Sequence, residues 1–255
     1  ESAWERLSPH EIFVFNKLLM GSFRIGVSQT LVIRALSEAM ELDTNVVAHR
    51  VMGNWNPKDA NFEDLILAKN ENDDASRPYP FYLAYPIEGP IVNLGNPEDW
   101  QVEWKWDGIR SQLIYRNKEI FIWTRGEELA TDKFPELHTL AQWLPNGTVI
   151  DGEIVGYMDL KPLPFHVLQT RIGRKNLSKK VLEEAPVALI AYDLLEYDGQ
   201  DLRNQPQSVR REQLEKLVAS MPEDAILKLS PLLSFTQWSE LETLHLLSRE
   251  NVAEG

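Results

Sequence analysis

The sequence predicts an α+β protein in two parts: a helical N-terminal module over residues 1–75 and an antiparallel-sheet domain over residues 76–255. Three observations carry this. Before residue 70 the apolar residues recur every three to four positions, the helical period, and from Gln101 they alternate every two, the strand period. Between the two regimes lies NENDDAS, residues 70–76, which is polar, acidic and without apolar periodicity, as in a linker. The strands that follow are joined by tight turns, such as the one at Arg116-Asn117-Lys118, and this favours antiparallel pairing over a doubly wound sheet.

Taken in order, residues 8–21 make the first expected helix. Ser8 is a capping residue, Pro9 suits the first turn, Ile12, Phe15, Leu18 and Leu19 fall at helical spacing, and Gly21 ends it. Residues 28–40 and 43–52 repeat the pattern, and 59–69 make a fourth helix. The connection Gly21-Ser22-Phe23-Arg24-Ile25-Gly26-Val27-Ser28 sets two glycines around an arginine ahead of a helix N-terminus, where backbone N–H groups and one cation can meet a phosphate. On spacing alone an ordinary helix–helix connection is the simpler reading. Residues 77–90, dense in proline and aromatics, suggest an extended segment packed over the next domain. Strands are expected near 101–107, 111–116, 119–124, 148–157 and 186–196, with helices near 134–144, 208–220 and 236–248. No Gly-rich phosphate loop occurs, so a nucleotide enzyme of this sequence must hold phosphates with side chains and metal.

The net charge of −13 argues in sum against a nucleic-acid partner, but the charge is segregated. Residues 161–180 contain Lys161, Arg171, Arg174, Lys175, Lys179 and Lys180 and no acid, a local +6, whereas residues 181–255 carry −8. An acidic protein can bind DNA through such a patch. The absence of cysteine removes disulfides and thiolate metal sites and suits an intracellular setting. No apolar run reaches membrane-spanning length.

The most specific stretch is Lys105-Trp106-Asp107-Gly108-Ile109-Arg110. On a strand over 101–107, Glu103, Lys105 and Asp107 share one face and Trp104 and Trp106 the other, so a lysine stands between two carboxylates at a strand end. Asp107-Gly108 then turns the chain, with glycine supplying a positive φ. The pattern K-x-D-G-x-R arises by chance in about one chain of this length in several hundred. It resembles the nucleotidyltransferase motif of ATP-dependent DNA ligases, RNA ligases and mRNA capping enzymes. The resemblance implies that Lys105 attacks the α-phosphate of a nucleotide and holds the nucleotide as a phosphoramide, chemistry open to an amine only when deprotonated. It implies that Arg110 presents its planar fork to sugar or phosphate oxygens. Glu103 matches a position that reads the adenine amino group.

Other stretches extend the resemblance. Asp151-Gly152-Glu153 lies where ligases carry a D-G-E element, which implies that Glu153 contacts the ribose or a divalent metal, Mg²⁺ or Mn²⁺. By itself D-G-E is a common turn. Arg125, in Thr124-Arg125-Gly126-Glu127, sits where ligases place an arginine on phosphate; a solvated turn is the alternative. Tyr192, ahead of Asp193-Leu194-Leu195, takes the place of the aromatic that stacks on the purine. NKLLMGSFRIGVSQTLVIRAL is similar to the end of the helical DNA-binding domain of larger DNA ligases, which assigns Arg24 and Gly26 to DNA. PFHVLQTRIGRK resembles a segment of bacterial and larger ligases, and its Arg171, Arg174 and Lys175, as part of the basic stretch, are expected to form a phosphate footprint on the same partner. The closing Glu254-Gly255 resembles the opening of a later motif whose glutamate binds metal, so the adenylation domain is expected to be truncated and an OB domain absent.

Together these features are similar to an ATP-dependent DNA ligase of bacterial type. The resemblance implies ATP and Mg²⁺ as cofactors, nicked double-stranded DNA as partner, no membrane, a monomer, and a bacterial cytoplasmic, nucleoid-associated location. An RNA ligase, a capping guanylyltransferase and an inert nucleic-acid-binding relative remain alternatives; the helical module favours DNA ligase.

Overall fold

The computed structural model describes residues 6–19, 29–51, 61–67, 75–82, 84–126, 128–174 and 177–255. Among the described residues the N-terminal part holds α1 (Pro9–Leu19), α2 (Gln29–Met40) and α3 (Thr44–Arg50). α1 opens on a capping box, in which the Ser8 backbone N–H and hydroxyl both donate to the Glu11 carboxylate at 2.8 Å. In place of the fourth expected helix the structure has one π-helical turn, Glu63–Leu67, the rest of that stretch lying largely outside the described residues.

Among the described residues the sheet has seven strands: β1 (Ile109–Arg116), β2 (Glu119–Thr124), β3 (Thr148–Met158), β4 (Lys161–Pro162), β5 (Val187–Tyr197), β6 (Gln200–Asp201) and β7 (Leu227–Leu229). Their order is β2-β1-β3-β5-β6, with β4 on β3 and β7 on β5. The β1–β2 hairpin turns on Asn117 and Lys118, at φ 52° and 65°, the pair of left-handed residues that matches sheet twist. Antiparallel pairing holds except at β7, which runs parallel to β5. A parallel neighbour needs a crossover, and the helix Gln207–Ala219 between β5 and β7 supplies it.

Strand alternation divides the core between two faces. Leu113, Tyr115, Ile120 and Ile122 point into the larger cluster, with Leu214 and Leu217 of the Gln207–Ala219 helix. Ile114, Phe121, Trp123 and Val149 point the other way, toward Ala48, Ala75, Ile33 and Phe81. Of the N-terminal helices, α2 and α3 therefore meet the sheet. Buried Trp123 needs an acceptor for its indole N–H and finds Ser76 O at 2.6 Å, so the last residues of the expected linker are interior. The proline- and aromatic-rich segment packs as expected: the buried Gln112 amide accepts from Tyr79 N at 2.9 Å and donates to Tyr79 O at 3.0 Å, in imitation of a strand neighbour.

The remaining helices are α4 (Phe165–Ile172), α5 (Lys179–Glu184), α6 (Gln207–Ala219) and α7 (Trp238–Leu246). The helix expected at 134–144 is 3-10, over Pro135–Gln142. Among the described residues no helix is long and apolar enough to cross a membrane.

The basic stretch does not form one surface. Arg171, expected at DNA, is fully buried on the inner side of α4 with Leu168. Its guanidinium donates to Glu136 at 2.6 Å, to Lys133 O at 2.6 Å and to Ala185 O at 3.1 Å. Charge was legible in the sequence but direction was not, and a fork saturated by protein acceptors has nothing left for a phosphate. Arg171 therefore leaves the DNA-binding set. Arg174 is exposed, and Lys175, Arg24 and Gly26 lie outside the described residues. Arg171→Glu should destabilise the fold by about 3–5 kcal/mol, because it sets two carboxylates together and strands the carbonyls. Thermal denaturation checks this; an unchanged midpoint would return Arg171 to the surface.

Candidate active site

The same sheet face that buries Ile114 and Val149 turns polar toward its end. Cross-strand partners share a face, and the β1–β3 register pairs Ile114 with Val149, Gln112 with Asp151, and Arg110 with Glu153. On the next strand the register slips: Asp151 faces Asp193 and Gly152 faces Ala191, so Tyr192 is the extra residue of a β-bulge. A bulge re-aims a side chain, and here it brings Tyr192 and Asp193 to one cavity. Gly152 permits this closeness, since a Cβ there would lie 2.7 Å from Ile190 O.

Two expectations about the lysine stretch change. Residues 101–107 are not a strand; they touch neighbours through single bridges, Glu103 to Leu232 and Trp106 to Ala253. The segment lies between two different stretches, with Leu233 N donating to Val102 O at 2.8 Å, Lys105 N to Gly255 O at 2.7 Å and Glu254 N to Lys105 O at 2.7 Å. No single partner imposes a pleat, so Trp104 and Trp106 line the same cavity as Glu103 and Lys105. Gly108 does not take a positive φ. Its constraint is proximity: a Cβ would stand 2.4 Å from Ile154 O and 2.9 Å from Glu153 Cγ.

The cavity has a volume of about 1010 Å³ and gathers Glu103, Lys105, Arg110, Arg125, Glu153, Tyr192 and Glu254, the full set expected at nucleotide and metal. It also holds Tyr82, Asp151, Asp193 and Arg210, which sequence reasoning did not single out as site residues. Asp151 had a signal in D-G-E and Asp193 in its place after Tyr192; Arg210 had none, being one charge on an ordinary helix.

Six charges in the cavity are matched in three pairs. Lys105 Nζ meets the Glu254 carboxylate. The Arg110 fork donates to Asp151 Oδ2 at 3.0 Å and Oδ1 at 3.4 Å and also to Tyr82 O, with its guanidinium 5.9 Å from the Tyr192 ring centre. Arg210 grips Asp193 with two bonds, 2.8 and 2.9 Å. Burial pushes Asp151 above the usual carboxylate range against the opposing pull of Arg110. Burial also raises the Tyr192 phenol, which donates to Asp151 at 3.3 Å. Burial raises Glu103, with Ser230 and Arg211 opposing.

Glu153 is pushed up to about 8, chiefly by burial; Arg110 and Lys105 pull it down and Asp151 and Asp107 add to the rise. A carboxyl raised on folding stabilises the protein fully below its unfolded range and loses that contribution as pH climbs through the folded value. The metal-free protein should therefore lose thermal stability between pH 5 and 8.5, where Glu153→Gln should lose less. A Glu153→Gln minus wild-type difference in melting temperature that stays flat across this range would refute the shift.

Residues 83–255 match the family model described as the ATP dependent DNA ligase domain. A probable DNA ligase of Koribacter versatilis is 31% identical over 206 residues, covering 78% of this chain and 35% of that protein. A DNA ligase of Haloarcula marismortui is 28% identical over 225 residues, covering 84% of this chain and 40% of that protein. Among solved structures, the ligase domain of M. tuberculosis LigD has a TM-score of 0.49 at 27% identity, covering 64% of this chain and 49% of that one. The chain thus spans between 35% and 40% of the length of these two curated relatives. With the family model matching well over half of its residues, the chain belongs to the ATP-dependent DNA ligase domain family.

Proposed function

We propose that residues 76–255 are the adenylation domain of an ATP-dependent DNA ligase and residues 1–75 the end of its helical DNA-binding domain. The observation that carries this is the convergence of Lys105 with Arg110, Arg125, Glu153 and Tyr192 on one cavity of a size suited to a nucleotide. In this reading the Lys105 amine attacks the α-phosphorus of ATP; a nitrogen–phosphorus bond forms and pyrophosphate leaves. AMP then passes to the 5′-phosphate of a nick, with the lysine amine as leaving group, and the 3′-hydroxyl finally displaces AMP as the strand is sealed. Each step is phosphoryl transfer, where positioning and charge neutralisation dominate. Glu254 sits on the Lys105 amine, so that pair opens before the nitrogen lone pair reaches phosphorus.

Among the described residues no three acidic or histidine side chains form a cage for a metal. That suits Mg²⁺ or Mn²⁺ held by one or two carboxylates together with water and substrate phosphates. Glu153 fits the part, because it lines the cavity and a half-buried carboxyl raised to about 8 even beside Arg110 and Lys105 gains from a further cation; Glu254 lines the same cavity. The ion supplies charge neutralisation at the phosphates. Nicked duplex DNA is the substrate in this reading, with exposed Arg174 available to its phosphates, and the protein works as a monomer in the bacterial cytoplasm at the nucleoid.

Incubating the full-length protein with α-labelled ATP and, separately, with α-labelled GTP and mapping the adduct by mass spectrometry tests the proposal. AMP on Lys105, chased onto nicked DNA, is the expected result. A guanylate adduct, or no chase, would overturn it.

A further inference from the structure

Glu103 is held by a chain of hydrogen-bond donors. Arg211, 3% exposed on α6, donates from Nη1 to Glu103 Oε1 at 3.0 Å, while its Nη2 donates to Ser230 O at 2.7 Å and its Nε to Glu215 at 2.7 Å. Ser230, fully buried just past β7, sets its side chain beside the Glu103 carboxylate and favours the charged form of that group against burial. The Ser230 oxygen in turn accepts the Trp106 indole N–H at 3.1 Å. An indole N–H can only donate, and a guanidinium has no acceptor. With its oxygen accepting from Trp106, the Ser230 hydroxyl keeps its proton for an acceptor, and Glu103 is the carboxylate beside it; Arg211 donates to Glu103 directly. The backbone keeps these groups in place: Ser230 N donates to Ala191 O at 2.8 Å, beside the bulge that carries Tyr192, and Glu103 bridges to Leu232.

A carboxylate whose protein partners all donate presents acceptor oxygens to whatever enters the cavity. A purine with an amino group at C6 offers an N–H to such an oxygen. A purine with an oxo group there offers another lone pair, and two acceptors face to face repel. The arrangement thus carries a polarity as well as a position.

We propose that Trp106, Ser230 and Arg211 are positioning residues that set the choice of nucleotide base, by holding Glu103 as an acceptor that takes a 6-amino purine and rejects a 6-oxo purine. This rests on the reading of the cavity as an adenylation site with Glu103 at the base, and it assigns base choice to a network outside the lysine motif. A buried polar group left unmatched costs more than a bond gained, so discrimination by such a device exceeds the effect of one extra contact.

The test measures covalent adduct formation by the full-length protein with ATP, inosine triphosphate and purine riboside triphosphate, which carries only hydrogen at C6. Ser230→Ala and Arg211→Lys should raise KM for ATP about tenfold, with kcat within about twofold, and narrow the preference for ATP over inosine triphosphate. The KM for purine riboside triphosphate should stay within about twofold, since that base makes no bond to lose. Trp106→Phe keeps the ring, removes the N–H alone, and should shift the preference in the same direction, which keeps the test decisive if a Ser230 or Arg211 variant does not fold. Equal losses with all three nucleotides would show a packing role and overturn the proposal. Glu103→Gln separates the two layers: an amide can turn either its N–H or its oxygen to the base, so the preference should collapse. A preference unmoved in Glu103→Gln would remove Glu103 from the base and the proposal with it. A preference lost in Glu103→Gln but intact in all three network variants would overturn the network's role alone.

Discussion

Lys105→Arg will abolish the covalent nucleotide adduct while leaving the fold intact. Arginine keeps the cation and most of the length, so its pair with Glu254 can persist. What it lacks is a neutral form: the guanidinium stays protonated throughout the working pH range and has no lone pair to give phosphorus. The expected loss is on the order of 10⁴-fold or more in adduct rate, the scale seen when a nucleophile is removed from a preorganised site. Stability should move by less than about 1 kcal/mol, because an ion pair this exposed contributes little. The side chains are 69% and 46% exposed. Intact-mass analysis after incubation with ATP reads the first effect and thermal denaturation the second. An undiminished adduct in Lys105→Arg would take the nucleophile's role from this residue.

Gly108→Ala should cost both stability and rate, for a reason the motif itself does not display. A glycine serving a positive φ would be strained by any substitution; here the backbone is one that alanine adopts freely, and the conflict is with neighbours. The added methyl would stand 2.4 Å from Ile154 O, a backbone atom in the middle of β3, and 2.9 Å from Glu153 Cγ and Val155 Cγ1. Neither backbone can yield without moving the β1–β3 pair that aligns Arg110 with Glu153. Overpacking of this kind costs about 1–3 kcal/mol, a fall of roughly 2–12 °C in melting temperature for a domain of this size. Shifting β1 also shifts Lys105 against the rest of the cavity, and a displacement near 1 Å can cost about 10²-fold in rate. Unchanged melting and adduct formation in Gly108→Ala would sink the close-approach account.

Much of the architecture was legible without coordinates. Strands β1, β2, β3 and β5 lie within two residues of their expected limits, because a period of two and a tight turn are local properties that need no knowledge of the neighbour. Helices α1, α2, α6 and α7 follow from apolar spacing in the same way. The cavity residues were legible for a different reason: Lys105, Arg110, Glu153 and Tyr192 belong to motifs, and Arg110, Glu153 and Tyr192 lie on the adjacent strands β1, β3 and β5 with Lys105 just ahead of β1.

Partners were decided only by the tertiary structure. That Arg171 turns inward to Glu136, that Arg110 is gripped by Asp151, and that Arg211 reaches Glu103 across 108 positions of sequence are outcomes of how strands pair and helices dock. A single charge looks the same in sequence whether it faces water, a carboxylate or a phosphate. The parallel strand β7 and the broken pairing of residues 101–107 belong here too, since each depends on a neighbour brought in from far along the chain. Local pattern determined which elements form and which chemistry they carry; long-range register determined which of those groups touch, because hydrogen bonds and ion pairs form between surfaces that only folding brings within 3 Å.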